Sequence, residues 1–258
     1  MELNLKNKLF IVTGATAGLG NGVAVNLIKE EAKIIAVARN TENLENLRMQ
    51  YPEQVETVAG DITDPVTYLK VLEVLSDRYL NGVLVNSGGP PAKAFLETTP
   101  DDWDKAYQTL LRWKVVFTLE LLKVFRKQQY GRLVYIESSA VKQPVSNLVL
   151  SNSVRMAVVG FVKTLSQEIA NEGITLNVLA PGFHETAAAE RLFVKKSEVE
   201  GITIDAAKQQ YTSEISVGKM GDPHEFGMLA TWLLSEYSGY ITGQTISVDG
   251  GNIKGMMG

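Results

Sequence analysis

A chain of 258 residues that is 45% hydrophobic and 21% charged has the balance of a soluble globular protein with a sizeable core. At this length an α/β chain is expected to form one domain, 1–258. A net charge of −4 offers no basic field for nucleic acid or an anionic membrane, and the lack of cysteine removes disulfides, thiolate catalysis and thiolate-held zinc. The two histidines, His184 and His224, have no metal-ligand spacing between them, so no metal site is expected. MELNLKNKLF enters a strand without a leader-type apolar region, and no apolar run approaches ~18 residues. These features predict a cytoplasmic protein with no membrane or nucleic-acid partner.

Apolar runs of strand length alternate with amphipathic segments of helix length from the start. KLFIVTG (8–14) is a β-branched run ending in glycine, and NGVAVNLIKEEA (21–32) has helical periodicity. AKIIAVAR (32–39) and NTENLENLRMQY (40–51) repeat the pair, and VETVAGD (55–61) precedes DPVTYLKVLEVLSDRY (64–79), whose Asp-Pro opening is a helix start. NGVLVNSGG (81–89), RLVYIESS (132–139), ITLNVLAPG (174–182) and QTISVDGG (244–251) complete seven strands. Because the strands are apolar throughout, the fold class is α/β, a Rossmann-type doubly wound parallel sheet covered on both faces. Asp222-Pro223 marks a late helix start, Trp103 and Trp232 read as core, and the polar, weakly patterned 183–217 reads as a substrate lid inserted at a sheet end.

TGATAGLG (13–20) follows the first strand and opens the first helix. Gly14, Gly18 and Gly20 permit a tight turn with the backbone close to a pyrophosphate, whose charge meets the helix N-terminal amides; Thr16 and Leu19 lie in the same loop. The second strand ends at Arg39-Asn40, without the acid that would accept both ribose hydroxyls and repel a 2′-phosphate. A guanidinium there pairs with that phosphate, so NADP is expected, with NAD as the alternative.

The series TGxxxGxG at 13–20, Asp61-Ile62, Asn86-Ser87-Gly88, Ser138-Ser139, Pro181-Gly182 with Thr186, and ITGQTISVDGG at 241–251 resembles the short-chain dehydrogenase/reductase family over essentially the whole chain. The style is that of its 3-oxoacyl-acyl-carrier-protein reductase-like members. The resemblance implies a nicotinamide cofactor, a small carbonyl or alcohol substrate and a homotetramer or homodimer. It places Gly14, Gly18 and Gly20 on the pyrophosphate, Asp61 and Ile62 at the adenine and Asn86 beside the ribose. Pro181, Gly182 and Thr186 fall along the nicotinamide. Ser87, with Gly88 after it, stands where alanine is usual, its hydroxyl expected to face the cofactor.

Catalysis is where the sequence departs from the family. The family mechanism uses a serine to polarise the carbonyl, a tyrosine to exchange the proton and a lysine to lower that tyrosine's pKa. Counting thirteen residues from Ser138 gives Ser151, and four more give Arg155, followed by the apolar run MAVVGF. No tyrosine occurs between Tyr135 and Tyr211, and Leu110 stands where the family's helix asparagine is expected. Serine is far less acidic than a phenol of pKa ~10 and too short to reach the same oxygen; arginine holds ribose hydroxyls or a carboxylate but does not relay protons. Ser138, Ser139, Ser151 and Arg155 are therefore the catalytic candidates, and Arg155 is also a cofactor-binding one.

Other proton donors are open. Lys142 reads as a loop lysine over the cleft, His184 as a mobile lid residue, Tyr135 as core, and Arg112 and Lys114 as charges at an oligomer interface. Glu137, just before the serines, is within register to pair with Arg155. Three functions stay in view: an NAD(P)-dependent oxidoreductase with an altered proton path, a cofactor-binding sensor or partner subunit, and a cofactor-assisted redox isomerase.

Overall fold

A computed structural model of the protein describes residues 2–256. The seven apolar runs become β1 (Leu9–Thr13), β2 (Lys33–Ala38), β3 (Val55–Ala59), β4 (Gly82–Val85), β5 (Gly131–Ile136), β6 (Ile174–Pro181) and β7 (Thr245–Val248). They form one parallel sheet in the order β3-β2-β1-β4-β5-β6-β7, the doubly wound arrangement expected. Each strand is shorter than its apolar run, because the trailing polar and glycine residues leave the ladder as loops at the carboxyl edge. The strand order reverses between β1 and β4, which is where an open α/β sheet offers a crevice.

Helices α1 (Gly18–Lys29), α2 (Thr41–Gln50) and α9 (Pro223–Leu234) cover one face, and α3 (Pro65–Leu75), α5 (Trp113–Gln128) and α6 (Val149–Glu168) the other. Three start where the sequence places a cap. Asn40, Asp64 and Asp222 accept the amides of Asn43, Val66 and His224 at 2.9, 2.9 and 2.7 Å. α1 begins at Gly18 instead of 21, so its first turn includes the glycine loop. Where α1 crosses α9, a Cβ on Gly22 would lie 2.0 Å from the Pro223 carbonyl oxygen, so only glycine permits that approach.

The opposite core layer centres on Phe117, which is fully buried and packs on the rings of Trp113 and Tyr68 at 6.3 and 6.2 Å. α4 (Pro100–Ala106) continues through a π-helical turn, Tyr107–Arg112, into α5. Trp103 and Trp232 are only half-buried; the core tryptophan is Trp113. Trp103 donates to Thr98 Oγ1 at 3.1 Å and meets Phe95 edge-on, an indole kept where its N–H has a partner.

The 183–217 segment is more ordered than its pattern suggests. It forms α7 (Ala187–Glu200) and α8 (Ile204–Ser213), which share a small core of Ala189, Phe193, Ala207, Ile215 and Met220. Each helix has one narrow apolar stripe, Ala189 with Phe193 and Ala207 with Tyr211, so most of each surface stays polar and the periodicity is faint.

Phe117→Ala removes the ring on which this layer closes and is expected to cost ~3–5 kcal/mol of stability. Chemical denaturation monitored by circular dichroism reads this; a loss below ~1 kcal/mol would show that the layer does not depend on that ring.

Candidate active site

The loop after β1 is held from two sides. Thr13 Oγ1 accepts the Asn86 amide at 2.6 Å and donates to the Asn86 carbonyl at 2.7 Å, tying β1 to the end of β4. Gly14 has φ +68°, and a Cβ on it would lie 2.6 Å from Asn86 Nδ2. A Cβ on Gly20 would lie 2.2 Å from the Gly14 carbonyl oxygen. Gly18 faces Thr186, with a Cβ-to-Cγ2 approach of 3.3 Å. Glycine is thus favoured at 14 and 18 by left-handed backbone, φ +68° and +53°, and required at 20 by backbone packing, and the loop lies against both Asn86 and Thr186. Thr16 and Leu19 are half-buried in it. Ala17, the N-cap of α1, supplies no side-chain oxygen to the first amides, and that first turn has no acid, so its positive end remains available to an anion.

At the end of β2, Arg39 is mostly in solvent, its Nη1 3.9 Å from Asp61 Oδ2. Asp61 Oδ1 accepts the Thr63 amide and hydroxyl at 3.0 and 2.9 Å, and Ile62 is buried beside it. Pro181 closes β6; Gly182 donates to the Val248 carbonyl at 3.0 Å, and Thr186 caps α7 through the Ala189 amide at 3.3 Å. The Ser87 hydroxyl, expected to face the cofactor, has a partner within the protein. It lies 3.4 Å from the Thr109 carbonyl, which also accepts Trp113 Nε1 at 2.9 Å. That carbonyl lies in the π turn, where the ordinary i→i−4 ladder is broken, so side-chain donors fill its place. Gly88 and Gly89 follow, both exposed.

The catalytic candidates gather where β5 ends. Ser138 is half-buried and its Oγ accepts the Ala140 amide at 3.2 Å; Ser139 is buried in the turn that follows. Ser151, in the first turn of α6, accepts Arg155 Nε at 3.1 Å. Arg155 Nη1 donates to Glu137 Oε2 at 2.9 Å, the pairing the register permits. The other carboxylate oxygen of Glu137 takes Lys114 Nζ. Lys114 and Glu137 side chains are wholly buried and Arg155 is 6% exposed.

Lys114 therefore does not mark an interface: it points inward from α5 to the end of β5. Burial pushes its pKa below lysine's usual value, opposed by Glu137 and assisted by the Arg155 charge. The signal for this pair was a lone cation in WKVVF and a lone acid after RLVYI, each conspicuous in an apolar run. Arg112 is exposed on the π turn, and Lys142 is half-buried after the serine turn.

Two proton-donor candidates are removed by their surroundings. Tyr135 is wholly buried, shares a 2.7 Å hydrogen bond with Thr118, and burial raises its phenol pKa. His184 is not mobile surface: its ring is buried edge-on against Phe226, with Nδ1 3.1 Å from the Gly182 carbonyl, and burial lowers its pKa. A Cβ on Gly221 would lie 2.5 Å from that ring, so glycine makes its seat.

Known proteins share this architecture. A family model described as enoyl-(acyl carrier protein) reductase matches residues 14–252. The 3-oxoacyl-[acyl-carrier-protein] reductase FabG of Thermotoga maritima is 30% identical over 256 residues, covering 96% of this chain and 99% of that protein. The NADPH-dependent reductase BacG of Bacillus subtilis is 27% identical over 262 residues, covering 97% and 99%. The crystal structure of YwfH, an NADPH-dependent reductase involved in bacilysin biosynthesis, superposes with a TM-score of 0.88 at 26% identity, covering 97% of this chain and 100% of that one. With its ordered motifs, its sheet and these matches, the chain belongs to the short-chain dehydrogenase/reductase family.

Proposed function

We propose that the protein is an NADPH-dependent oxidoreductase that interconverts a carbonyl and an alcohol in a small-molecule substrate, with Ser151 and Arg155 in place of the family's tyrosine and lysine. The observation that carries this reading is the cradle of Gly14, Gly18 and Gly20 against Asn86 and Thr186, a loop that disfavours side chains and opens an α1 whose first amides have no side-chain cap. The NADPH dependence of BacG supports the choice of cofactor. Gly14, Gly18, Leu19 and Gly20, with Thr16, would hold the pyrophosphate, Arg39 the 2′-phosphate, and Asp61 with Ile62 the adenine. Asn86 with Gly88, Pro181 with Gly182, and Thr186 would line the nicotinamide end. When bound, the reduced nicotinamide supplies a hydride to the carbonyl carbon.

The chain's own groups handle the oxygen. Ser138 accepts the Ala140 amide through its lone pair, so its O–H proton stays available to polarise a carbonyl. Arg155 remains a cation and supplies charge without releasing a proton. Ser151 is occupied as an acceptor for Arg155 Nε, so its hydroxyl hydrogen can meet water in the space a larger side chain would fill. In this reading the final proton comes from solvent through Ser138 or Ser151. α7 and α8 form the lid, hinged where Thr186 meets the glycine loop, and the subunits assemble as a homotetramer or homodimer.

Two measurements test the reading. NADPH added to the protein is expected to shift and enhance nicotinamide fluorescence. Gly20→Ala, whose Cβ would strike the Gly14 carbonyl, is expected to abolish this, while Arg39→Ala weakens NADPH roughly tenfold or more and leaves NADH unchanged. Failure of both nucleotides to bind the unaltered protein would end the oxidoreductase reading. In steady-state carbonyl reduction, Ser138→Ala is expected to lower kcat by ~10²–10³ with little change in NADPH affinity, the scale for losing one oxyanion donor. An unchanged kcat would remove Ser138 from the mechanism.

A further inference from the structure

The short segment after β6 joins the α7–α8 pair to the rest of the domain, and its side chains divide between the two. Phe183 belongs to the pair: its ring lies 4.8 Å from that of Tyr211 on α8, which meets Phe193 of α7 at 5.5 Å. His184 belongs to the domain, its buried ring edge-on to Phe226 of α9 with centroids 5.3 Å apart. Thr186 caps α7 and faces Gly18 of the glycine loop. The chain leaving α8 returns to the same place. The Phe183 carbonyl accepts the Gly221 amide at 3.0 Å, and the Gly221 carbonyl accepts the Glu185 amide at 2.9 Å, a parallel bridge centred on His184 and Gly221. Both stems of the α7–α8 pair therefore meet at His184.

The ring also holds Gly182. The Gly182 amide donates to the Val248 carbonyl at 3.0 Å, and the Gly182 carbonyl lies 3.1 Å from His184 Nδ1. A carbonyl oxygen can only accept, so the ring carries its proton on Nδ1. The peptide planes on both sides of Gly182 are thereby tied, at a residue type that otherwise rotates more freely than any other. The anchor continues into the domain. α9 crosses α1 so closely that a Cβ on Gly227 would lie 2.4 Å from the Gly22 carbonyl oxygen, and α1 opens with the glycine loop. One packed path runs from that loop through α1, α9 and the His184 ring to Gly182. An apolar side chain could fill the seat beside Phe226; what the imidazole adds is a donor for one buried carbonyl.

We propose that His184 is a positioning residue for the nicotinamide end of the cofactor: its Nδ1–H orients the Gly182 carbonyl, and its ring pins the Gly182–Thr186 segment to α9. The proposal rests on the oxidoreductase reading, which puts Pro181, Gly182 and Thr186 along the nicotinamide. That reading puts the adenine and the 2′-phosphate with Asp61, Ile62 and Arg39, at the ends of β3 and β2. Three strands separate β2 from β6 in the sheet, so the ring acts on one half of the nucleotide and leaves the other untouched.

The test uses the full chain and two probes, NADPH and 2′-phospho-ADP-ribose, which carries the same adenine end and lacks the nicotinamide. Both are titrated by isothermal calorimetry into the unaltered protein, His184→Leu, His184→Asn and Gly221→Ala. His184→Leu fills the seat without the donor. It is expected to weaken NADPH about tenfold or more, the scale of one buried carbonyl left without its hydrogen bond, and to leave 2′-phospho-ADP-ribose unchanged. His184→Asn returns an N–H donor to the Nδ1 position and is expected to recover most of that loss. Gly221→Ala sets a methyl group 2.5 Å from the ring and displaces it with its chemistry intact, so it is expected to repeat the selective loss. This second variant keeps the proposal testable should His184→Leu fail to fold. A ring with a merely structural role would be replaced by leucine without effect, or its loss would weaken both probes alike. Either result, or asparagine no better than leucine, overturns the proposal and leaves the oxidoreductase reading intact. If neither probe binds the unaltered protein, that reading falls and the proposal falls with it.

Discussion

The site is organised around one carboxylate. Glu137 follows β5 directly, is wholly buried, and ties Lys114 of α5 and Arg155 of α6 to the carboxyl end of the sheet. An isolated carboxylate there would be strongly unfavourable, and removing one partner of a buried pair typically costs ~3–5 kcal/mol. The three side chains therefore constrain one another: α5 and α6 cannot shift relative to β5 without uncovering a charge. Ser138 and Ser139 follow Glu137 in the chain, so the turn presenting the candidate hydroxyls is anchored by the same contact.

The cofactor side is fixed by different physics. Among the described residues no ion pair sets the loop after β1; its shape follows from distances that exclude a Cβ at Gly14 and Gly20 and from Thr13 clasping Asn86. Sterics and neutral hydrogen bonds hold the glycine loop, and buried electrostatics hold the end of β5. Substitutions at the two ends have separate consequences, because Asn86 is not part of the charged cluster and Glu137 is not part of the glycine loop. Gly89 lies between them, on the loop that leaves β4 beside Asn86 and passes Arg155 Nη2.

The sheet was legible because its central strands β1, β4, β5 and β6 are buried on both faces and so are apolar without alternation, and because Asp64-Pro65 and Asp222-Pro223 declare helix starts. The glycine loop was legible because its spacing states a steric rule. The inward turn of Lys114 was not. It is 23 positions from Glu137, and a lysine in an apolar helix is consistent with either a partner subunit or a buried acid. Only the packing of α5 on β5 chooses between them. The contact of the Ser87 hydroxyl with the Thr109 carbonyl was not legible for a related reason: the π turn that carries this carbonyl has no sequence signature. His184 reads as surface in a polar segment until Gly221 and Phe226 arrive from nearly forty residues away to enclose it.

The cluster also bears on what a conventional site would require in this fold. In the proposed reading a tyrosine at 151 and a lysine at 155 would be needed together, the amine lowering the phenol's pKa from a distance set by its own freedom. An ammonium at 155 in this protein would face Glu137, and Lys114 would remain behind it. The carboxylate would draw the new cation toward β5 and reduce its influence on a neighbouring phenol, since opposite charges in a buried site stabilise each other's ionised form. Contacting residues in one charged network are non-additive by ~0.5–3 kcal/mol. Positions 114, 137, 151 and 155 therefore behave as one unit: the arginine suits Glu137, the glutamate suits two cations, and the serine leaves Arg155 Nε an acceptor where a phenol ring would occupy the space. In the proposed reading the departure from the family's catalytic residues is physically coherent as a set, and its coherence lies in charge placement more than in proton transfer.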